Sequence, residues 1–528
     1  MTTLPSHLFH SQPQPHRPAV LLPPSALLAS EASLSICYKE LKDHSLSLAT
    51  LLQTLGPPQT TVSLSLNNSI EFVTAFLALA QNSFIAAPLN PAYTQDEAEF
   101  YLSDSNSQLL LVHMGELSST AAPSGAVLAA RKLNIPIAEV YFDLTTSAIK
   151  LSGGSPHGTQ LSRTQTRAPR EHDVLLLLHT SGTTGRPKAV PLTHKNMIST
   201  TRNIQKTYDL SSNDRSFLVM PLFHVHGLLA GLLAPLAASG SCVIPPRFAA
   251  RTFWSEFALS KANWYTAVPT IHQILLRLPP PSPLPKIRFI RSCSSALSPA
   301  THAQLERAFR APVLEAYAMT EATHQMTSNP LPPAIRKPGS VGKPVGVELK
   351  ILSLDKEEEV DEGEVCIRGP NVTSGYLNNP TANKSSFTRP GGYFRTGDRG
   401  KIDADGNLIL TGRIKELINR GGEKISPVEL DAALLSIEGI VEAVAFGVPD
   451  EKYGEVPWAA VVLGKLTHGR ALSEPEIRHE LSKQLGKFKL PEKILIVDQI
   501  PKTATGKVQR RKVSEMFVKR YANPKARL

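Results

Sequence analysis

Two textures alternate along the first half of the chain. Short apolar runs at 61–66, 108–112 and 174–178 are separated by segments such as 69–79 and 95–102, whose apolar residues recur at helical spacing. Strands with no polar face must be covered on both sides, so the alternation predicts an α/β fold of doubly wound parallel sheets. After Pro338 the pattern changes to short strands and glycine-rich turns at 345–352, 363–368 and 407–411, and a small barrel-like subdomain is expected over about 338–412. Near the C-terminus, Ser426, Pro427 and Glu429 supply an N-cap, a first-turn proline and the acid of a capping box, which starts a helix expected to stop at Gly439. Strands at 441–446 and 459–463, a helix over 474–485 and a strand at 493–497 complete a compact α+β domain.

Two stretches read as connections. Residues 152–172 are rich in Gly, Ser, Thr, Arg and Pro, and 279–285 hold five prolines in seven residues. The most apolar stretch, 218–246, is interrupted by His224, His226, glycines and prolines, so a buried helix is expected there instead of a membrane span.

Composition narrows the class. With 528 residues, 41% of them hydrophobic and 19% charged, the chain can build several sheets and has too little charge for disorder. Cys37, Cys242, Cys293 and Cys366 lie far apart without metal-ligand spacing, so neither a disulfide framework nor a zinc site is expected. The net charge of +11 favours anionic partners, among them nucleotides, CoA, carboxylates and RNA, and does not choose between them. The first 30 residues contain no Asp or Glu and a single Arg, and they lack the basic region of a secretory signal.

The chemistry begins where the apolar strand ending at His179 runs into Thr180-Ser-Gly-Thr-Thr-Gly-Arg-Pro-Lys188. Glycines there let backbone amides approach an anion, hydroxyls add donors and Lys188 adds charge, although the spacing is not the Walker pattern. Tyr317-Ala-Met-Thr-Glu321, Tyr393-Phe-Arg-Thr-Gly-Asp398, Gly412-Arg-Ile-Lys415 and Pro501-Lys-Thr-Ala-Thr-Gly-Lys507 follow in that order. Carrying these five ordered motifs, the sequence resembles the adenylate-forming superfamily of acyl-CoA synthetases, adenylation domains and luciferases.

The resemblance implies an ATP-binding domain over 1–413, a hinge at 414–415 and a mobile lid domain over 416–528. It implies that Thr180, Ser181, Gly182, Thr183, Thr184, Gly185 and Lys188 hold the β and γ phosphates, and that Thr320 touches the α phosphate. Glu321 would bind Mg²⁺, a hard cation that prefers oxygen ligands. Glu315, Ala316 and Tyr317 fall in the ATP-binding set, with Tyr317 against adenine, Asp398 on the ribose hydroxyls and Arg413 nearby. Lys507 would reach the carboxylate and the α phosphate during adenylation. Rotation about Lys415 would then bring Arg420, Gly421 and Gly422 round to line a CoA channel.

The acid site is the more selective signal. Met220-Pro-Leu-Phe-His-Val-His226, Arg291-Ser-Cys-Ser-Ser-Ala-Leu297 and the segment from Tyr317 to Pro332 together resemble the oxalate–CoA ligases of plants and fungi. A second carboxylate buried in an acyl pocket needs hydrogen-bonding partners, and His224, Ser294 and His324 could meet it. A medium-chain or aryl acid ligase, a stand-alone carrier-loading adenylation domain and an RNA-binding protein are the other readings; 21 residues follow Lys507, so no fused carrier is expected. Ala526, Arg527 and Leu528 fit the small-basic-leucine form of a peroxisomal signal, which implies a peroxisomal import receptor as a partner and otherwise a cytoplasmic enzyme.

Overall fold

The computed structural model describes residues 2–10, 14–27, 33–118, 123–153, 167–180, 187–389, 392–464, 472–503 and 506–521. Ala526, Arg527 and Leu528, which carry the peroxisomal expectation, lie outside the described residues.

Two sheets build the N-terminal body. The first runs Ala148–Ser152, Ile137–Asp143, Leu109–His113, Thr61–Ser65, Ile85–Pro88, Val174–Thr180, Lys188–Thr193, with parallel pairing inside and antiparallel pairing at both edges. The second has nine strands in the order Lys343–Pro344, His324–Ser328, Val313–Met319, Phe289–Ser292, Trp264–Ala267, Arg215–Leu218, Ser241–Val243, Pro18–Leu22, Leu34–Cys37. Between them lies the helix Ile70–Gln81, started by Ser69, whose hydroxyl accepts from the Phe72 amide at 3.2 Å. Ten of its twelve residues are buried, and a helix apolar all round has to be covered all round. Phe76 and Leu77 share one core with Val62 and Leu64 of the first sheet and Val20 and Cys242 of the second.

The stretch 218–246 contains the expected buried helix, but it opens as a wide π-helical segment, His226–Leu233, before tightening over Ala234–Ala237. Gly227 permits this start: a Cβ there would lie 2.2 Å from the Pro221 carbonyl oxygen. Among the described residues no helix is long and apolar enough to cross a membrane, and all four cysteines are free.

The region after Pro338 is an antiparallel sheet of Glu348–Leu352, Glu362–Arg368, Phe394–Ile402 and Leu408–Arg413, with the first and last as its edges. The C-terminal domain pairs Ile440–Asp450 with Gly454–Leu463 in a long hairpin, flanked by Lys493–Ile496 and Ile418–Arg420. Ser426 caps its first helix by accepting from the Glu429 amide at 3.3 Å, but the reciprocal half of the expected capping box does not form. Lys489 takes the Glu429 carboxylate instead, at 2.6 and 2.8 Å, because an ammonium is a stronger partner than a neutral amide. The helix ends at Leu435, short of Gly439.

This C-terminal domain is docked. Thr270, at the start of the helix Pro269–Leu276, donates to the Gly506 carbonyl at 3.1 Å, and Arg277 pairs with Glu442 at 3.3 Å.

Candidate active site

The strands Val174–Thr180 and Lys188–Thr193 are antiparallel, and their register sets Thr180 opposite Lys188 at the root of the expected phosphate loop. Ser181, Gly182, Thr183, Thr184 and Gly185 lie outside the described residues. The Lys188 ammonium sits 4.5 Å from the centre of the Tyr376 ring, and the Tyr376 hydroxyl donates to Glu321 Oε1 at 2.8 Å. Thr180 Oγ1 reaches the same oxygen at 3.4 Å. The root of the expected phosphate loop and the Tyr317 to Glu321 motif, 141 residues apart between Thr180 and Glu321, therefore meet at one carboxylate.

That carboxylate comes from a tight turn, Thr320–Ala322, at the end of the strand Val313–Met319, which leaves Thr320 half-buried beside it. Glu321 is 6% exposed and, among the described residues, pairs with no Lys or Arg. Among the described residues no cluster of three or more His, Cys, Asp or Glu could hold a metal by itself. One buried carboxylate beside a hydroxyl nevertheless suits Mg²⁺, which usually takes one or two protein carboxylates and completes its shell with water and substrate phosphate.

Two further strands bring Asp398 and Arg413 into register with each other. Arg413 Nε donates to Asp398 Oδ1 at 3.0 Å, and the Tyr317 hydroxyl donates to Oδ2. Burial and the adjacent Asp398 push the Tyr317 hydroxyl well above its ordinary range, so it remains a donor. Glu315, two residues earlier, turns its carboxyl to the amide of Gly339 at 3.1 Å and to that of Leu297, tying down the segments beside the Ala316 and Tyr317 backbone. Burial raises its pKa to about 8.

The docked lid adds Lys507. Gly506, at φ +79°, turns the chain so that Lys507 projects into the cleft; a Cβ at Gly506 would come within 2.7 Å of Thr270 Oγ1. Lys507 keeps solvent-accessible surface, yet desolvation is the largest influence on its ammonium, because protein crowds around that end of the side chain. Desolvation and Arg413 lower its pKa, while Asp398, Glu416 and Glu321 pull it back up.

Lys415 is exposed in the short turn Ile414–Glu416 that links body to lid. Next to it, Glu416 accepts from Arg510 Nε at 3.3 Å, and Arg510 also holds Asp431 at 2.9 Å. The CoA set stays within the lid: Arg420 bonds Phe488 O at 2.5 Å and Glu492 at 3.1 Å, and the Gly421 amide bonds Tyr453 O at 2.7 Å, with Gly421 and Gly422 exposed. The structure thus gathers Thr180, Lys188, Tyr317, Glu321, Asp398, Arg413 and Lys507, and it leaves Arg420, Gly421 and Gly422 apart from them.

At the acid end, His224, Ser294 and His324 converge on His226. His224 Nδ1 accepts from the His226 amide at 3.2 Å, Ser294 Oγ lies 3.1 Å from His226 Nδ1, and the His324 ring stacks on His226 with centres 5.1 Å apart. Burial lowers the pKa of all three histidines, to about 4 for His224, with Lys507 adding to the effect, and well below the ordinary range for His226 and His324. Near neutrality they are uncharged. Ser294, Thr323 and His324 hold φ of +73°, +53° and +110°, left-handed values that L side chains adopt at a cost of ~1–3 kcal/mol each when the surroundings impose them. Thr323 is pinned by its 2.6 Å bond to the Asn371 carbonyl. His324 Nε2 is buried and has no partner among the described residues.

Behind these groups lies Arg291, 0% exposed and without a carboxylate partner among the described residues. Its donors go to neutral atoms: Tyr208 OH at 2.7 Å, Thr266 Oγ1 at 3.0 Å and Gln325 Oε1 at 3.1 Å. A buried cation without a counter-ion makes its surroundings favourable to an anion. Sequence reasoning gave no role to Arg291, His226 or Tyr376. The signal for Arg291 was present: it is the one charge in the short strand Phe289–Ser292, and a charge on a buried strand needs a reason.

Comparison with known proteins agrees with this geometry. The family model described as AMP-binding enzyme matches residues 10–377, and the one described as AMP-binding enzyme C-terminal domain matches 429–507. The oxalate–CoA ligase of Saccharomyces cerevisiae is 47% identical over 526 aligned residues, covering 94% of this chain and 95% of that protein. The oxalate–CoA ligase of Arabidopsis thaliana is 50% identical, covering 88% and 89% respectively. Among solved structures, ATP-bound MatB from Rhodopseudomonas palustris superposes with a TM-score of 0.84 at 29% identity, covering 98% of each chain.

Proposed function

This chain belongs to the AMP-binding enzyme family, and from that premise we propose that it is an AMP-forming acid–CoA ligase whose acid is oxalate. The observation that carries the choice of acid is the unpaired Arg291 charge behind His226, Ser294 and His324. A monocarboxylate would leave that charge and those donors unmatched, whereas a dianion places one carboxylate there and the other toward Lys507.

The first step moves negative charge together, so it depends on positioning and neutralisation. An oxygen of the near carboxylate attacks the α phosphorus, the bond from that phosphorus to the bridging oxygen breaks, and pyrophosphate leaves. Lys507 brings a cation to the attacking carboxylate and the α phosphate, Asp398 receives the ribose, and Lys188 and Thr180 stand at the base of the phosphate loop. Glu321 and Thr180 would hold Mg²⁺, which would neutralise phosphate charge. In the second step the CoA sulfur attacks the acyl carbon, the bond to the AMP oxygen breaks, and the thiol proton passes to solvent. Lys507 occupies the cleft in the docked lid, so this step requires the turn about Lys415 that would present Arg420, Gly421 and Gly422.

Pyrophosphate release measured with oxalate, malonate, hexanoate and a cinnamate, each followed by the CoA dependence of AMP release, tests this reading. Buried polar groups left unpaired discriminate by ~10⁴-fold or more, so oxalate should lead by a wide margin. Faster turnover of hexanoate or the cinnamate would replace oxalate with a monocarboxylic acid.

A further inference from the structure

A guanidinium has only donors, and this one constraint propagates through three neighbours of Arg291. Arg291 Nη1 donates to Thr266 Oγ1 at 3.0 Å. The Thr266 oxygen is 2.6 Å from His226 Nε2, close enough that one of the two must donate. Arg291 Nη1 also lies 3.5 Å from the same Nε2, so a proton on Nε2 would face a guanidinium proton. Nε2 is therefore bare and accepts from Thr266, and the neutral His226 ring carries its proton on Nδ1. Nδ1 then donates to Ser294 Oγ across 3.1 Å, and the Ser294 proton is left to point away from His226.

The guanidinium is held for this task from its other side. Nε bonds Tyr208 OH at 2.7 Å, itself 2.7 Å from Ser328 Oγ, and Nη2 bonds Gln325 Oε1, whose amide nitrogen bonds Thr207 at 3.0 Å. Ser295 Oγ donates to the Ser294 carbonyl at 2.9 Å and does not compete for the Ser294 hydroxyl.

We propose that Arg291 is a positioning residue for acid selection: acting through Thr266 and His226, it fixes the direction of every hydrogen bond in the chain, so that Ser294 presents a proton to the distal carboxylate of the bound acid. This rests on the oxalate reading above. Arg291 supplies both a fixed charge behind the pocket and a fixed polarity of the hydroxyl in front of it.

A double-mutant cycle tests the relay. Thr266→Val keeps the shape of the side chain and removes its hydroxyl, while Ser294→Ala removes the final donor. Each should raise the KM for oxalate by about tenfold, the scale of one hydrogen bond to a charged group, and leave the KM for ATP unchanged. Because Thr266 acts through Ser294, the double variant should be no worse than Ser294→Ala alone, and Thr266→Ser should recover wild-type KM. His226→Asn, whose amide nitrogen can stand in for Nδ1, should outperform His226→Gln. Fully additive losses, or a folded Thr266→Ser that stays impaired, would overturn the relay. A wild type that prefers another acid would overturn the oxalate reading instead, and the same cycle run on that acid would still decide the relay.

Discussion

Thr270 and Gly506, 236 residues apart in the chain, are joined by a hydrogen bond of 3.1 Å from the threonine hydroxyl to the glycine carbonyl. It is a direct bond between body and lid immediately beside Lys507, so it helps hold the lysine in the cleft. Losing a single such bond costs about 0.5–1.5 kcal/mol. Thr270→Val should therefore slow pyrophosphate release ~2- to 10-fold while CoA attack on a supplied adenylate is unchanged. Gly506→Ala should do more harm, since it adds a Cβ 2.7 Å from Thr270 Oγ1 at a left-handed φ. Pulse experiments on the two half-reactions check both.

Lys507→Ala removes the cation that neutralises the attacking carboxylate and the α phosphate. Adenylation should fall by ~10²-fold or more, with thioester formation from a supplied adenylate largely spared. Lys415→Pro should do the reverse, because proline fixes φ within the turn Ile414–Glu416 that must reorganise for the second step. Equal losses in both half-reactions for either variant would contradict a lid that serves the two steps in different positions.

His324→Ala removes the ring that stacks on His226 and the unpartnered Nε2. The KM for oxalate should rise at least tenfold while the KM for ATP moves less than about twofold, since among the described residues no side-chain hydrogen bond joins His324 to Asp398 or Glu321. Steady-state kinetics with each substrate varied in turn separates the two.

Stability should fall with acidification below the ordinary histidine range. His194 and His224 have folded pKa values near 4 and His272 near 3, against 6.5 for the free side chain, with burial the main cause in each. Between these values the unfolded chain binds more protons, so stability present above pH 6.5 is lost as pH falls, at up to about 1.4 kcal/mol per unit for each group. For His194 the loss is visible in a contact, since its Nδ1 accepts from the Leu4 amide at 3.1 Å. Glu315 acts in the opposite sense: its pKa, raised to about 8, favours the folded state at low pH and is lost as an advantage as pH rises toward 8. Three histidines outweigh one glutamate, and the melting temperature should drop between pH 6.5 and 4. A flat profile over that window would contradict the burial of these rings in neutral form.

Much of this molecule was legible because its signals are contiguous. The strand ending at Thr180, the helix begun by Ser69 and the motifs ending at Glu321, Asp398 and Lys507 are short runs whose chemistry is local, and the structure sets those three residues around one cleft. What sequence reading lost depends on partners far along the chain. Glu429 looked like half of a capping box until Lys489, 60 residues away, took its carboxylate. The strand expected over 441–446 runs on to Asp450 because Gly454–Leu463 pairs with it throughout. The roles of His226 and Arg291 arise from contacts that cross 40 and 25 residues to Thr266, which no spacing rule reveals.

The central claim, that oxalate is activated through its adenylate and passed to CoA, has one direct measurement. Oxalate labelled with heavy oxygen is incubated with the enzyme, ATP, Mg²⁺ and CoA, and the AMP and thioester are weighed by mass spectrometry. Attack of a carboxylate oxygen on the α phosphorus, followed by thiolysis at the acyl carbon, leaves one labelled oxygen in each AMP and forms an equal amount of oxalyl-CoA. Unlabelled AMP, or labelled AMP without oxalyl-CoA, would contradict the account.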